Sequence, residues 1–239
     1  MVIGLQPTAT SILLELIVLV NLALATYSSF RILDRQREVL HDLRKSPWIY
    51  ISTGLSLWFI SKLILLFFLV VLTETSCIVK ICVTNIVSLG GYLFLFSGFH
   101  RGIKPFLRLK NNHPHVNWLN IIDATFSLTV ILIVAFFFLH LPYLNAEELY
   151  PKLFFTPVFT VFDIVLLWLS LKGMVIFYGG TASKPLHFIS LGFMLVATSN
   201  ILRLFVFHNG IYLVDLILAS GYLVLAGGMY LYSRSTPIF

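Results

Sequence analysis

The sequence predicts an all-α polytopic membrane protein with seven transmembrane helices, on three observations. Of 239 residues, 59% are hydrophobic and only 11% charged, with 22 phenylalanines. A soluble domain of that size has too little interior to hide so much apolar surface. Apolar windows long enough to cross roughly 30 Å of hydrocarbon fall at 8–30, 48–73, 78–99, 121–142, 154–178, 186–207 and 211–233. The connections are short, so residues 1–239 read as a single transmembrane domain with no soluble domain attached.

The first window has no Lys or Arg ahead of it, which argues for a first span and against a cleaved signal peptide. After it comes "RILDRQREVLHDLRKSP", with five basic residues and Asp34, Arg37, Glu38, His41, Asp42 and Lys45 at helix-neighbour spacings. A solvated, charged extension of the first helix is the simpler reading of that stretch, and a partner-docking surface the sharper one. The second window carries Lys62 inside "LWFISKLILL". The third opens with Cys77 and Cys82, whose spacing fits neither a metal site nor a disulfide framework. Between the third and fourth lies "HRGIKPFLRLKNNHPHVN", with four basic residues, and the sixth and seventh are joined by a tight "HNG" turn.

The two basic loops, Lys184 and Arg234 share one side of the membrane, while the other has Lys80 and Lys152 beside Glu74, Glu147 and Glu148. The positive-inside rule then places the N-terminus outside and the C-terminus in the cytoplasm. The net charge of +6 is therefore an orientation signal rather than a nucleic-acid surface.

The chain also resembles itself. "SPWIYISTGLSLWFISK" (46–62) aligns with "KPLHFISLGFMLVATSN" (184–200), matching Pro47 with Pro185, Ser52 with Ser190, Gly54 with Gly192 and Ser61 with Ser199, so that Lys62 falls on Asn200. "GGYLFLFSGF" (90–99) then aligns with "SGYLVLAGGM" (220–229) after a gap in the outer loop, pairing Gly91 with Gly221, Tyr92 with Tyr222 and Gly98 with Gly228. This predicts a 3+1+3 parallel repeat, 8–99 and 154–233, joined by helix 121–142. The glycines near Tyr92 and Tyr222 are expected to let helix backbones approach closely, a packing role that needs no chemistry.

Ionisable groups within spans are costly and mark functional sites by default. Here they are Glu15, Lys62, Asp163, Arg203 and Asp215, one on each of helices 1, 2, 5, 6 and 7. At a rise of 1.5 Å per residue, Glu15, Lys62 and Asp163 lie roughly 10–16 Å below the outer boundary, and Arg203 and Asp215 about 6 Å below it. Arg203 and Asp215 flank the tight turn symmetrically, which predicts an ion pair. Lys62 needs a partner of its own, either Asp163 or Glu15. Three acids against two bases leave one negative charge, or one proton, over. With Asn200, these residues make either a structural network that fixes packing or an outer-half pocket for a small polar ligand, a cation or a proton. Lys172, in the inner half, is expected to snorkel to the cytoplasmic interface.

Other chemistries find less support. A retinal Schiff base on Lys62 would depart from the rhodopsin pattern, where the lysine sits on the seventh helix. Haem ligation by His140 with His208, or His100 with His187, is conceivable, but all four lie at helix boundaries, as interfacial histidines do. "HPH" at 113–115 has no carboxylate or thiol partner for a metal. There is no HExxH motif, nucleophile elbow or phosphate-binding glycine loop, so the expectation is no enzyme and no cofactor.

The succession "SPWIYISTGLSLWFISKL", "SLGGYLFLFSGF", "NIIDATFSLTVILIV", "VFDIVLLWLSL", "KPLHFISLGFMLVATSNILRL" and "LVDLILASGYLVLAGG" resembles the multi-span N-terminal sensory modules of prokaryotic histidine kinases and diguanylate cyclases. The resemblance implies a bundle in a prokaryotic cytoplasmic membrane that senses an outer or intramembrane stimulus, with polar residues at Asp163, Asn200 and Asp215. No output domain follows the seventh helix, so signalling is expected through a separate partner at loops 31–47 and 100–120. The alternatives are a small-solute or proton-coupled transporter built on the repeat, and a non-catalytic subunit of a larger, respiratory membrane complex.

Overall fold

The computed structural model describes residues 9–37, 46–70, 77–107, 116–140, 146–177, 184–205 and 211–235. They form α1 (Ala9–Arg37), α2 (Pro47–Val70), α3 (Cys77–Leu107), α4 (Val116–His140), α5 (Ala146–Ile176), α6 (Lys184–Phe205) and α7 (Ile211–Arg234), with no strand among the described residues. Both α1 and α3 run past their apolar windows, carrying charged residues of the two basic loops as helix extensions.

At that end the chain is tied locally. Pro47 opens α2, where a helix has no amide bond to lose. Ser46 caps it, its Oγ accepting from the Trp48 N–H at 3.3 Å and donating to Gln36 Oε1 at 2.5 Å. Arg35 donates to the Ser233 carbonyl at the end of α7, joining α1 to α7 there.

Six helices close into a ring. α1 packs on α2 and α7, α3 on α2 and α5, and α6 on α5 and α7, while α4 lies outside against α5. Each ring helix contributes at least one wholly buried large side chain, among them Leu22, Leu55, Leu95, Leu166, Phe193 and Leu225. The most extensive seams are α2/α3 and α6/α7. Glycine allows them: Gly54 lies against Leu95 and the Gly91 carbonyl, Gly98 against Ile51, Gly192 against the backbone of Leu225, and Gly228 against Ile189. Between lipid-solvated helices, such close contact supplies the dispersion attraction that water-driven burial supplies elsewhere. Serines fasten the same seams, Ser61 Oγ donating to the Thr84 carbonyl and Ser199 Oγ to that of Val214, each at 2.9 Å.

The outer surface is apolar and the interior mixed. Ile131 and Leu213 are each 64% exposed, while Ser29, Ser170, Ser190 and Ser199 are wholly buried. That inversion suits a bundle solvated by lipid. All helices but α4 hold apolar stretches of 20 to 25 residues, enough to cross a bilayer. In α4 the described apolar stretch is Leu119–Leu132. The chain is an integral membrane protein.

Candidate functional site

The six polar residues singled out in the sequence all lie on ring helices and gather into three groups. In the first, Lys62 Nζ of α2 is 3.2 Å from Glu15 Oε2 of α1. Both side chains are partly exposed, in a shallow cleft completed by Leu19, Leu65 and Leu66. Of the two acids within depth of Lys62, its partner is therefore Glu15. In the second group, Arg203 of α6 pairs with Asp215 of α7 across the hairpin, with the arginine side chain 40% exposed and the aspartate 13%.

The third group is the buried one. Thr160, Asp163, Leu166 and Ser170 recur at helical spacing along the inward face of α5, which places the Asp163 carboxylate in the interior at 5% exposure. Tyr92 Oη of α3 donates to Asp163 Oδ1. Asn200 Nδ2 of α6 donates to the same oxygen at 3.0 Å and to Tyr92 Oη at 3.2 Å. The Trp58 ring stands edge-on to Tyr92 at 4.8 Å and to Tyr222 at 6.3 Å, and Phe162 stacks on Tyr92 at 5.6 Å. The Trp58 and Phe162 rings pack around Tyr92, the hydrogen-bond partner of the buried carboxylate.

Among the described residues, no Lys, Arg or His is ion-paired with Asp163. The count of three acids and two bases thus resolves into two pairs and one carboxylate held by neutral donors. Burying an ionised carboxylate without a cation is expensive even when it is hydrogen-bonded. What the arrangement can do is hold one positive charge, or respond to its loss.

Lys172 departs from the sequence expectation. Rather than snorkelling to an interface, it is 7% exposed, with its Nζ 2.5 Å from Asp123 Oδ1 of α4 and 4.1 Å from the centre of the Trp168 ring. Trp168 Nε1 donates to the same Asp123 oxygen at 2.9 Å, and Phe126 stacks on Trp168 at 4.7 Å. A carboxylate on the neighbouring helix satisfies the ammonium within reach, so the stem need not extend to water. This cluster fastens α4 to the ring.

Two residues escaped the sequence reading, Tyr92 as the partner of Asp163 and Asp123 as that of Lys172. The available signals were a tyrosine repeated at Tyr222, and an acid opening the apolar part of "NIIDATFSLTVILIV". Of the four histidines weighed for haem, His100 is exposed and His187 half-buried, while the side chains of His140 and His208 lie outside the described residues. So do residues 113–115 and the Cys77 side chain; Cys82 is a free thiol. Among the described residues no group of three His, Cys, Asp or Glu side chains could hold a metal. No family model, curated protein or solved structure matches the chain.

Proposed function

We propose that the chain is a receptor-like sensory membrane protein, with seven spans and a cytoplasmic C-terminus, that signals through a separate partner by a change of state at Asp163. The observation that carries this reading is the buried carboxylate of α5, held only by neutral groups from α3 and α6. Any event that changes its charge alters the attraction between three helices at once, which is how a local electrostatic change biases two packings of a bundle. The resemblance to sensory modules points the same way, and loops 31–47 and 100–120 are the proposed partner surface. The 25 residues of α4 suit a seventh span. The positive charge on the extensions of α1 and α3 suits an inward-facing end.

The repeat 8–99 with 154–233 is supported by the twin seams of α2/α3 and α6/α7. Parallel repeats occur in transporters, so the twin seams also favour a second reading, a small transporter with the same site. Solute- or proton-coupled flux in proteoliposomes separates the two, since a sensor gives none.

Hydrogen–deuterium exchange of the protein in lipid nanodiscs tests the sensory reading. Asp163→Asn keeps the shape of the side chain and removes its charge. The variant is expected to change amide protection as far as the loop-facing ends of α3 and α6. Protection changed only beside residue 163 would refute a switching role.

A further inference from the structure

The ring repeats itself contact by contact. Gly54 meets Leu95 as Gly192 meets Leu225, Gly98 meets Ile51 as Gly228 meets Ile189, and the Ser61 and Ser199 hydroxyls bond equivalent carbonyls. One constant shift carries α2 onto α6, and another carries α3 onto α7. The buried residues extend the register to α1 and α5, where Leu22 answers Leu166. The Thr26 hydroxyl bonds the Leu22 carbonyl at 2.8 Å as the Ser170 hydroxyl bonds that of Leu166 at 2.7 Å. The neighbours agree, since α1 packs on α7 as α5 packs on α3.

In this register Lys62 stands for Asn200, Leu19 for Asp163 and Tyr222 for Tyr92. Glu15 lies one helical turn before Leu19. The cleft that holds Glu15, Leu19 and Lys62 is therefore the counterpart of the Asp163 cluster. In that half the acid has an ammonium supplied by the chain; in the other, the equivalent position is a neutral amide.

We propose that Asp163, Tyr92 and Asn200 form a binding site for one exchangeable proton, standing where the other half of the ring places the Lys62 ammonium. The proposal rests on Asp163 as the switch and gives that switch its ligand. Space and donor direction select a proton over a metal or organic cation. Tyr92 and Asn200 already touch Oδ1 and each other, and both present donors to it. The groups around it are accounted for. Tyr222 of α7 lies within electrostatic reach of Asp163, Glu15 and Arg203. Glu15 is paired with Lys62 and Arg203 with Asp215. The α4 acid Asp123 is held by Lys172, which is about 13 Å farther along α5 from Asp163.

Infrared spectroscopy of the full chain in nanodiscs, titrated with pH in H₂O and D₂O, tests this. The wild type is expected to show a carbonyl stretch of a protonated carboxylic acid that shifts in D₂O and is lost on alkalinisation. Asp163→Asn should remove that band. Asn200→Lys, which supplies a tethered ammonium as in the other half, should remove it at a pH where the wild type retains it. Replacing K⁺ by Na⁺ at constant pH should leave it unchanged. A band absent from the wild type at every pH, or surviving Asp163→Asn, overturns the proposal, and so does one bleached by Na⁺, which would make this a metal-cation site. The Asp163→Asn and salt comparisons decide even if Asn200→Lys does not fold. If the band fails while amide exchange still responds to Asp163→Asn, the switch stands without the proton. If the band behaves and exchange does not respond, the proton site stands without the sensory reading.

Discussion

Alanine at Gly192 probes the close seam between α6 and α7. Its Cβ would lie 2.7 Å from the Leu225 nitrogen and 2.8 Å from the Leu225 Cα and Cβ. Backbone cannot rotate aside as a side-chain tip can, so the two helices must part by about 1 Å to reach an ordinary carbon contact of about 3.5–4.0 Å. Overpacking of this kind costs about 1–3 kcal/mol, against a gain of up to about 1 kcal/mol from replacing a helical glycine. Gly227, on α7, has nothing within 4 Å of its Cβ position, so Gly227→Ala keeps the gain alone. The two variants should therefore differ by about 1–3 kcal/mol, or roughly 2–4 °C in Tm per kcal/mol for a chain of this length. Gly54→Ala, whose Cβ would meet the Gly91 carbonyl at 2.8 Å, should fall with Gly192→Ala. Thermal unfolding followed by circular dichroism in one lipid system provides the comparison. A Gly192→Ala protein that melts at or above Gly227→Ala refutes the seam.

Lys172→Met should destabilise the protein by about 1–3 kcal/mol, below the roughly 3–5 kcal/mol of a fully buried broken pair because the Asp123 side chain is 41% exposed. Arg203→Gln leaves the Asp215 side chain, only 13% exposed, without its cation, and should cost at least as much; a smaller loss than for Lys172→Met in thermal unfolding would contradict the assigned burial of Asp215. Lys62→Asn gives the first half the residue of the second, and Glu15 should then add a second protonated-acid band to the infrared spectrum. An unchanged spectrum would sink the equivalence of the two clusters.

The all-helical architecture was legible because composition and window length act locally along the chain. The seams were legible in part: the glycines near Tyr92 and Tyr222, Gly98 and Gly228 among them, signal close approach, whereas Gly54 and Gly192 mark only the repeat until packing places them against α3 and α7. Which charges meet was partly hidden. Arg203 and Asp215 flank a short turn, so one level implied one pair, whereas Lys62 had two acids at suitable depth and only the packing of α1 on α2 selects Glu15. Depth cannot report azimuth, and for that reason a shared outer-half level read as one pocket where the helices form three groups. Tyr92 was missed because a tyrosine beside Gly91 is accounted for by packing alone. Lys172 was misplaced because snorkelling assumes no carboxylate within reach, and Asp123 lies on α4, whose docking on α5 leaves no local sequence signal.

The most direct test of the central claim is a distance across the ring. Spin labels at Arg101→Cys on α3 and Lys184→Cys on α6, both exposed positions, in a chain with Cys77 and Cys82 replaced by serine, report the separation of the proposed cytoplasmic ends by pulsed electron paramagnetic resonance in nanodiscs. The account predicts two distance populations with Asp163 present and one with Asp163→Asn. Superimposable distributions would contradict it, leaving Asp163 as a packing residue.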